Sequence, residues 1–353
     1  MVARSAIGSR TGEGRGIVAA TIRDVAKSAG VSFKTVSRVL NDETTVRPAT
    51  RQRVLDAMEA LDYTPHHTAR QMRTRQSNTI GFISDEIATS PFAVDIVKGA
   101  QNEAWRNGML LLVVNTERDR QHEADAIATL LERRVEGIVY AAMFHRFVEP
   151  NDRLRQVPAV LIDCFGPNGT YHAVVPDEEQ GGHLATRTLI DHGHRRIGFV
   201  NLDPVASAAA AAGRLAGYRR ALSEAGLAFD PGLVRHASTA PDQGYVQSAE
   251  LLELEDRPTA LFCGNDRMAA GAYCAIYERG LRIPTDVAVI GYDDQEEIAA
   301  YLMPALTTIA LPHQEMGRWG IQRLLELIAA GEAPPQISPP HRLTCPLVIR
   351  DSV

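Results

Sequence analysis

No stretch of the 353 residues is apolar and long enough to cross a bilayer. A span needs roughly 18–20 uncharged residues, and Met109–Val114 and Val205–Ala212 fall far short. No export signal is expected either, because Arg4, Arg10 and Arg15 have no apolar stretch behind them. Cysteine is sparse. Cys164, Cys263, Cys274 and Cys345 lie far apart with no CxxC pair, which excludes a metal-ligand spacing and reads as reduced, buried thiols of a cytoplasmic protein. A nucleophile elbow, a P-loop and a GxGxxG fingerprint are all missing. The adjacent acidic pairs Asp293-Asp294 and Glu296-Glu297 have no catalytic partner, so no enzyme chemistry is expected. His192-x-His194 is too little to make a metal site, and no cofactor or metal is expected.

What is present is an ordinary soluble balance, 45% hydrophobic and 23% charged, in a chain long enough for more than one domain. The net charge of −6 hides an asymmetry. Residues 1–75 hold 13 Lys/Arg against 7 Asp/Glu (+6), and the remainder 24 against 36 (−12). A basic amino-terminal fifth on an acidic body has the charge layout of a small polyanion-binding module on a larger domain, although a solvated helical surface has it too.

Residues 1–20, rich in Gly, Ser, Thr and Arg, read as a disordered tail. Thr21 is a good N-cap for a helix over Ile22–Ala29, whose Ile22, Val25, Ala26 and Ala29 recur at helical spacing. Gly30 supplies a turn, and Ser32 caps a second helix reaching about Leu40. A third helix is expected from Pro48 to Leu61, with Val54, Leu55, Met58 and Leu61 as its apolar face. Three short helices with a tight turn between the first two form a helix-turn-helix layout. With Phe33 at zero, Ser37, Lys34 and Arg38 fall at roughly 40°, 100° and 140°, and Val39, Val36 and Leu40 at roughly 240°, 300° and 340°. One arc can pack while the other offers an aromatic, a Lys, a Ser and an Arg to a major groove. A plain surface helix would account for the apolar arc but not for an exposed Phe33 between cations.

The 21 residues from Thr21 to Asn41, TIRDVAKSAGVSFKTVSRVLN, resemble the DNA-binding signature of the lactose-repressor (LacI/GalR) family, and the likeness continues through Val46 and Thr50 to Tyr63-Thr-Pro65. The resemblance implies that Phe33, Lys34 and Arg38 read base edges, with Thr21, Ser32, Thr35, Ser37 and Asn41 near phosphates or the groove. It also implies that residues 66–78 are a hinge that folds on the operator and enters the minor groove, Ala69, Arg70 and Met72 taking the groove-facing positions. Met72 stands where the family's wedge is typically Leu. Without the resemblance, the same segment reads as a flexible linker.

From Thr79 onward strand-like and helix-like stretches alternate. Ile80–Ser84, Leu110–Val114, Gly137–Ala141 and Ala159–Asp163 form one series of buried strands, and Ile197–Asn201, Leu233–Ala237, Ala260–Cys263 and Val287–Tyr292 a second. The expected fold is a small all-α helix-turn-helix head (21–65) on a two-subdomain α/β core of parallel sheets (79–353). The ligand cleft is expected at the strands' carboxyl ends. Polar residues past those ends, Asp163, Asn265-Asp266 and Asp293-Asp294, together with Arg214 after a loop, suit a polyhydroxylated ligand. A strand-end Asp is also an ordinary cap or turn former.

RLAGY (214–218), GNDRMA (264–269) and DVAVIGYDD (286–294) also resemble the same family's effector-binding core, which is similar to periplasmic sugar-binding proteins. That resemblance divides the core into one subdomain of about 79–176 plus 311–337 and another of about 177–307 plus 341–353. It implies Arg214, Asn265, Asp293 and Asp163 as effector ligands, with Asp85 and Phe92 as further candidates on the loop Ser84–Phe92. Thr239 and Leu311 depart from a lactose-repressor-like pocket. The expectation is therefore a cytoplasmic, nucleoid-associated repressor that binds double-stranded operator DNA as a homodimer, with no membrane contact. A small polar effector, a sugar or sugar derivative, is expected to control it. The chain has no carboxy-terminal heptad repeat, which favours a dimer over a tetramer. The rivals are a solute-binding protein for a sugar transporter, which would have no use for residues 21–76, and a sugar-modifying enzyme.

Overall fold

The structure, a computed structural model, describes residues 20–40, 43–63, 77–90, 93–205, 207–331 and 339–353. Asn41, Ala69, Arg70, Met72 and Phe92, named above, lie outside the described residues, as does the tail before Ala20. The chain divides into two units between Gln76 and Ser77.

In the first unit α1 (Ile22–Ala29), α2 (Phe33–Leu40) and α3 (Pro48–Ala60) pack around Val25, Val36, Val39, Val54 and Ala57. A capping box starts α1: the Thr21 side chain accepts from the Asp24 N–H, and Asp24 accepts from the Thr21 N–H at 2.9 Å. Gly30 ends it in the left-handed region at φ 64°, the conformation the tight turn requires. Leu55, expected in the apolar face of α3, is instead 43% exposed. It lies about 100° from Val54, and Ala57 takes the core position on the other side.

The second unit holds two six-stranded sheets. The first runs β11-β5-β4-β3-β1-β2, with β1 (Thr79–Ser84), β2 (Leu110–Asn115), β3 (Gly137–Phe147), β4 (Ala159–Phe165), β5 (His172–Pro176) and β11 (His341–Leu343) all parallel. The second runs β12-β10-β9-β8-β6-β7, built from β6 (Ile197–Leu202), β7 (Val234–Ala237), β8 (Ala260–Cys263), β9 (Ala288–Asp293), β10 (Thr307–Ala310) and an antiparallel β12 (Leu347–Val348). The helices are α4 (Val94–Arg106), α5 (Arg120–Glu132), α6 (Glu178–Asp191), α7 (Ala208–Glu224), α8 (Pro241–Leu252), α9 (Asp266–Glu278), α10 (Glu296–Ala299) and α11 (His313–Ala330). The helices bury both faces of each sheet, which is why the central strands read as continuous apolar runs rather than alternating ones.

Four details depart from the sequence reading. Strand β3 continues six residues past Ala141, with a register shift against β4 between Ala141 and Arg146. Residues His341–Leu343, assigned above to the second subdomain, pair with Val174–Pro176 in the first sheet, and the chain crosses to the second sheet only after them. Arg214 does not follow a loop; it lies in the middle of α7. Cys164, Cys263 and Cys345 are buried as expected, but Cys274 is exposed.

Helices α8 and α9 approach so closely that a Cβ on Gly271 would stand 1.9 Å from the Pro241 carbonyl oxygen and 2.5 Å from the Tyr245 nitrogen. Both are backbone atoms and cannot swing aside. Gly271→Val should therefore destabilise the second unit by about 3 kcal/mol, read as a lower urea midpoint with an unchanged slope. A midpoint like the parent's would mean that the helices separate at little cost.

Candidate functional site

In the head, α2 presents the face its periodicity predicts. Phe33 is 54% exposed, Lys34 and Arg38 are exposed, Thr35 and Ser37 are half-buried, and Val36 and Val39 are buried. Ser32 starts the helix by accepting from the Thr35 N–H at 3.1 Å. Thr21 is held by Asp24, its hydroxyl donating at 2.6 Å. Arg38 lies 3.5 Å from the Glu43 carboxylate with both side chains about half exposed, a surface pair of small worth that releases the guanidinium easily.

In the second unit a narrow cavity of about 20 Å³ lies at the carboxyl ends of the strands and takes its walls from both subdomains. The first subdomain contributes Met143, Phe144 and His145 from β3, Asp163 from β4 and His313 from α11. The second contributes Glu178, Arg214, Thr239, Asn265 and Asp293, together with Leu311, which the boundary given above put in the first subdomain but which packs with the second and donates its N–H to the Asp293 carbonyl. Four of the six effector candidates, Asp163, Arg214, Asn265 and Asp293, are thus brought together. Thr239 and Leu311, where the sequence departs from a lactose-repressor-like pocket, share the same wall.

Asp85 is not part of this cavity. Its carboxylate accepts from the N–H groups of Glu86 and Met143, both at 2.7 Å, and pairs with Arg146 at 2.6 Å and Arg118 at 3.6 Å. It lines a neighbouring polar pocket with Arg118, Tyr140 and Arg146. The strand end places Asp85 under the β3 backbone, where it holds Met143 in position instead of facing a ligand.

Arg214 is buried, with Nε 2.8 Å from one Glu178 oxygen and Nη2 3.4 Å from the other. Nη1 donates to the Gly264 carbonyl, and the guanidinium carbon lies 3.6 Å over the Tyr292 ring. Asp293 Oδ1 stands 3.7 Å from Nη2, and its other oxygen accepts from Gln295 at 3.1 Å. Burial pushes the Asp293 carboxyl up to about 7 against the pull of Arg214. Asp163 is 6% exposed, and its Oδ1 has no hydrogen-bond partner. Burial first, then Glu178, raises its pKa well above the ordinary carboxylate range. Asn265 caps α9 through Met268 N at 2.8 Å and donates to the Thr239 carbonyl at 3.4 Å. The His145 Nδ1 is buried without a partner, 4.0 Å from Glu178 across the cleft; burial lowers the ring's pKa.

Phe144, His145 and Glu178 were missed in the sequence. The histidine in the run GIVYAAMFHRF was the available signal, obscured by ending the strand at Ala141. Phe144, Asp163 and Asp293 adopt φ of 69°, 55° and 104°. Asp tolerates that region and Phe seldom does, so the cavity wall holds local backbone strain. Among the described residues no group of three or more His, Cys, Asp or Glu could hold a metal ion, and no helix is long and apolar enough to cross a membrane.

This head and this two-subdomain receptor define a class of DNA-binding regulator. Residues 21–66 match the family model for bacterial regulatory proteins of the lacI family, and residues 186–353 that for the periplasmic binding protein-like domain. The chain is 36% identical over 313 residues to the HTH-type transcriptional repressor PurR of Vibrio atlanticus, spanning 88% of this chain and 92% of that protein. It is 35% identical over 309 residues to the ribose operon repressor of Haemophilus influenzae, with the same coverage of 88% and 92%. The lac repressor dimer bound to operator and the anti-inducer ONPF superimposes with a TM-score of 0.78 at 30% identity, covering 94% of this chain and 98% of that one. The transcriptional regulator CelR in complex with cellobiose gives 0.65 at 30%, covering 95% and 100%. The chain belongs to the lacI family of bacterial regulatory proteins, and PurR, the ribose operon repressor and the lac repressor are transcriptional repressors, not enzymes.

The folded chain holds a proton on Asp293 that the unfolded chain, with an ordinary value of 3.8, has released. Between about pH 4 and 7 the group's contribution to stability therefore falls as pH rises, and above that window it is constant. Urea unfolding should show the parent losing stability relative to Asp293→Asn as the pH rises from about 4 to 7. A difference independent of pH would place an ordinary carboxylate there.

Proposed function

We propose that this chain is a repressor whose operator affinity is set by a small polar effector, a sugar or sugar derivative, bound in the cavity between the subdomains. Phe33, Lys34 and Arg38 would read base edges in each half-site, and Thr21, Ser32, Thr35, Ser37 and Asn41 would lie near phosphates or the groove. Ala69, Arg70 and Met72 would meet the minor groove. Asp163, Arg214, Asn265 and Asp293 would hold the effector, with Asp85 supporting the wall, and Phe92 remains a proposed contact.

The observation that carries the reading is that the cavity's polar wall is drawn from both subdomains. A ligand gripping both walls necessarily favours one degree of closure over another, which is the differential binding an allosteric switch needs. The cellobiose complex of CelR and the ribose operon repressor, as named, support a sugar. Working as a homodimer in the cytoplasm, the chain would place two heads on a near-palindromic operator. Leu110 and Val113 on edge strand β2, with Tyr301, Met303 and Ile349 on the second subdomain, are large apolar side chains left exposed, and they support the dimer. A solute-binding protein accounts for the cavity but leaves the head without a role.

The test is a mobility-shift selection of genomic fragments at modest salt, followed by titration with sugars. The expected result is a preferred near-palindromic sequence whose complex responds to a cavity ligand. Arg38→Ala should weaken binding by about 1–3 kcal/mol at one base pair of each half-site and relax the preference there. Equal losses on every sequence would make Arg38 a phosphate contact, and the absence of any preferred fragment would overturn the function.

A further inference from the structure

We propose that the polar pocket beside the cavity wall, bounded by the ends of β1 and β3 and the start of α5, is a second ligand site that takes a neutral monosaccharide. Its space is about 350 Å³ against about 20 Å³ for the cavity between the subdomains, and among the described residues none lines both. That volume falls within the range of small-molecule sites. The pocket lies wholly in the first subdomain, so the inference does not depend on the effector reading of the cavity. Its wall is built of planar polar side chains around one aromatic face, a composition that can grip a ring of hydroxyls.

Three guanidinium groups, Arg118, Arg120 and Arg146, meet three carboxylates, Asp85, Glu123 and Glu149. Two of these carboxylates are already committed to the wall. Asp85 accepts from the N–H groups of Glu86 and Met143 and pairs with Arg146 and Arg118. Glu123 accepts from the Tyr140 hydroxyl at 3.1 Å and from the Asn151 N–H at 2.8 Å. Arg120 and Glu149 have no hydrogen bond or ion pair among the described residues, and Arg118 reaches outward to Glu86 in a half-exposed pair of small worth. Donors and an acceptor therefore stand open in one pocket while its formal charges cancel. A sugar hydroxyl both donates and accepts, so it can bond either kind of group without bringing a charge, whereas an ion would unbalance the set. Phe147 supplies the apolar face. It is 49% exposed, and an edge-to-face contact with Phe165, ring centroids 5.8 Å apart, fixes its ring. Such a ring covers the C–H face of a pyranose while the planar groups take its rim. A plain surface aromatic would be equally exposed, but it would not stand at the edge of a pocket whose polar groups are left open.

The experiment measures binding to the full-length protein by calorimetry. The probes are glucose, galactose, mannose and xylose, with glucuronate and glucose 6-phosphate as charged counterparts of glucose. At least one neutral sugar should bind more tightly than either acid. Phe147→Ala and Arg120→Gln remove exposed side chains, and each should weaken that sugar about tenfold while leaving the melting temperature of the ligand-free protein unchanged. Phe147→Trp should keep the affinity and gain a fluorescence change on binding that the parent lacks. Thr239→Phe, which fills the cavity between the subdomains, should leave this binding intact. A sugar whose binding is lost in Thr239→Phe and unaffected by Phe147→Ala and Arg120→Gln sits in the cavity, which overturns the inference and leaves the effector reading standing. Either acid binding more tightly than every neutral sugar overturns the inference as well, and so does failure of all six compounds to bind.

Discussion

The second subdomain is organised around one buried ion pair. Glu178 and Arg214 are 3% exposed each, and taking two charges out of water costs several kcal/mol per ion unless each is fully hydrogen-bonded. The surroundings meet that condition: the pair is doubly bonded, the Gly264 carbonyl takes a third donor, and the Tyr292 ring covers one face. The pair also demands that α6 and α7 lie almost in backbone contact. A Cβ on Gly182 would stand 2.4 Å from the Arg214 carbonyl oxygen, and one on Gly217 would stand 2.2 Å from that of Glu179. Glycine at these helical positions lets the ion pair close, and the ion pair in turn fixes where Asn265 and Asp293 stand.

Coupling between the subdomains follows from how the chain is threaded. It leaves the first sheet after β5, returns through α11, and crosses once more between Leu343 and Leu347 to finish in the second sheet. Three connections thus join the two sheets across the cavity. Asp85 adds a second link. Through its bonds to Met143 N, Arg146 and Arg118, it ties the cavity wall to the neighbouring polar pocket, so the position of Met143 depends on two arginines that never touch the cavity.

The head was almost wholly legible in the sequence because its determinants are local: Thr21, Gly30 and Ser32 set the boundaries, and 3.6-residue spacing sets the buried face. Leu55 failed because it sits beside the apolar arc, where a small Ala57 packs better than a large side chain. In the core, strand runs of buried residues were visible, but β3 beyond Ala141 was not, since its Phe144 and His145 break the apolar run. The short strand His341–Leu343 gave no periodic signal at all, and its sheet was decided by pairing with β5. Asp163, Asn265 and Asp293 were found because they stand at or just beyond the carboxyl ends of apolar strand runs, and Glu178 was missed because its role is to neutralise Arg214 across two helices, a relation that no spacing encodes. Asp85 satisfied the same strand-end rule and still faces elsewhere. Strand ends therefore identify candidates, and backbone hydrogen bonding decides among them.

The left-handed backbone at Phe144, Asp163 and Asp293 makes the cavity wall unequal in its tolerance of change. At the two aspartates only asparagine and glycine sit comfortably, so these positions offer few chemical alternatives, and each alternative removes a charge. Thr239 and Leu311 have no such restriction and face the same space. A descendant of this protein acquiring a new ligand would change shape and hydrogen bonding at those two positions long before altering the aspartates. Its specificity would diversify through steric fit, while the polar grip stayed as it is.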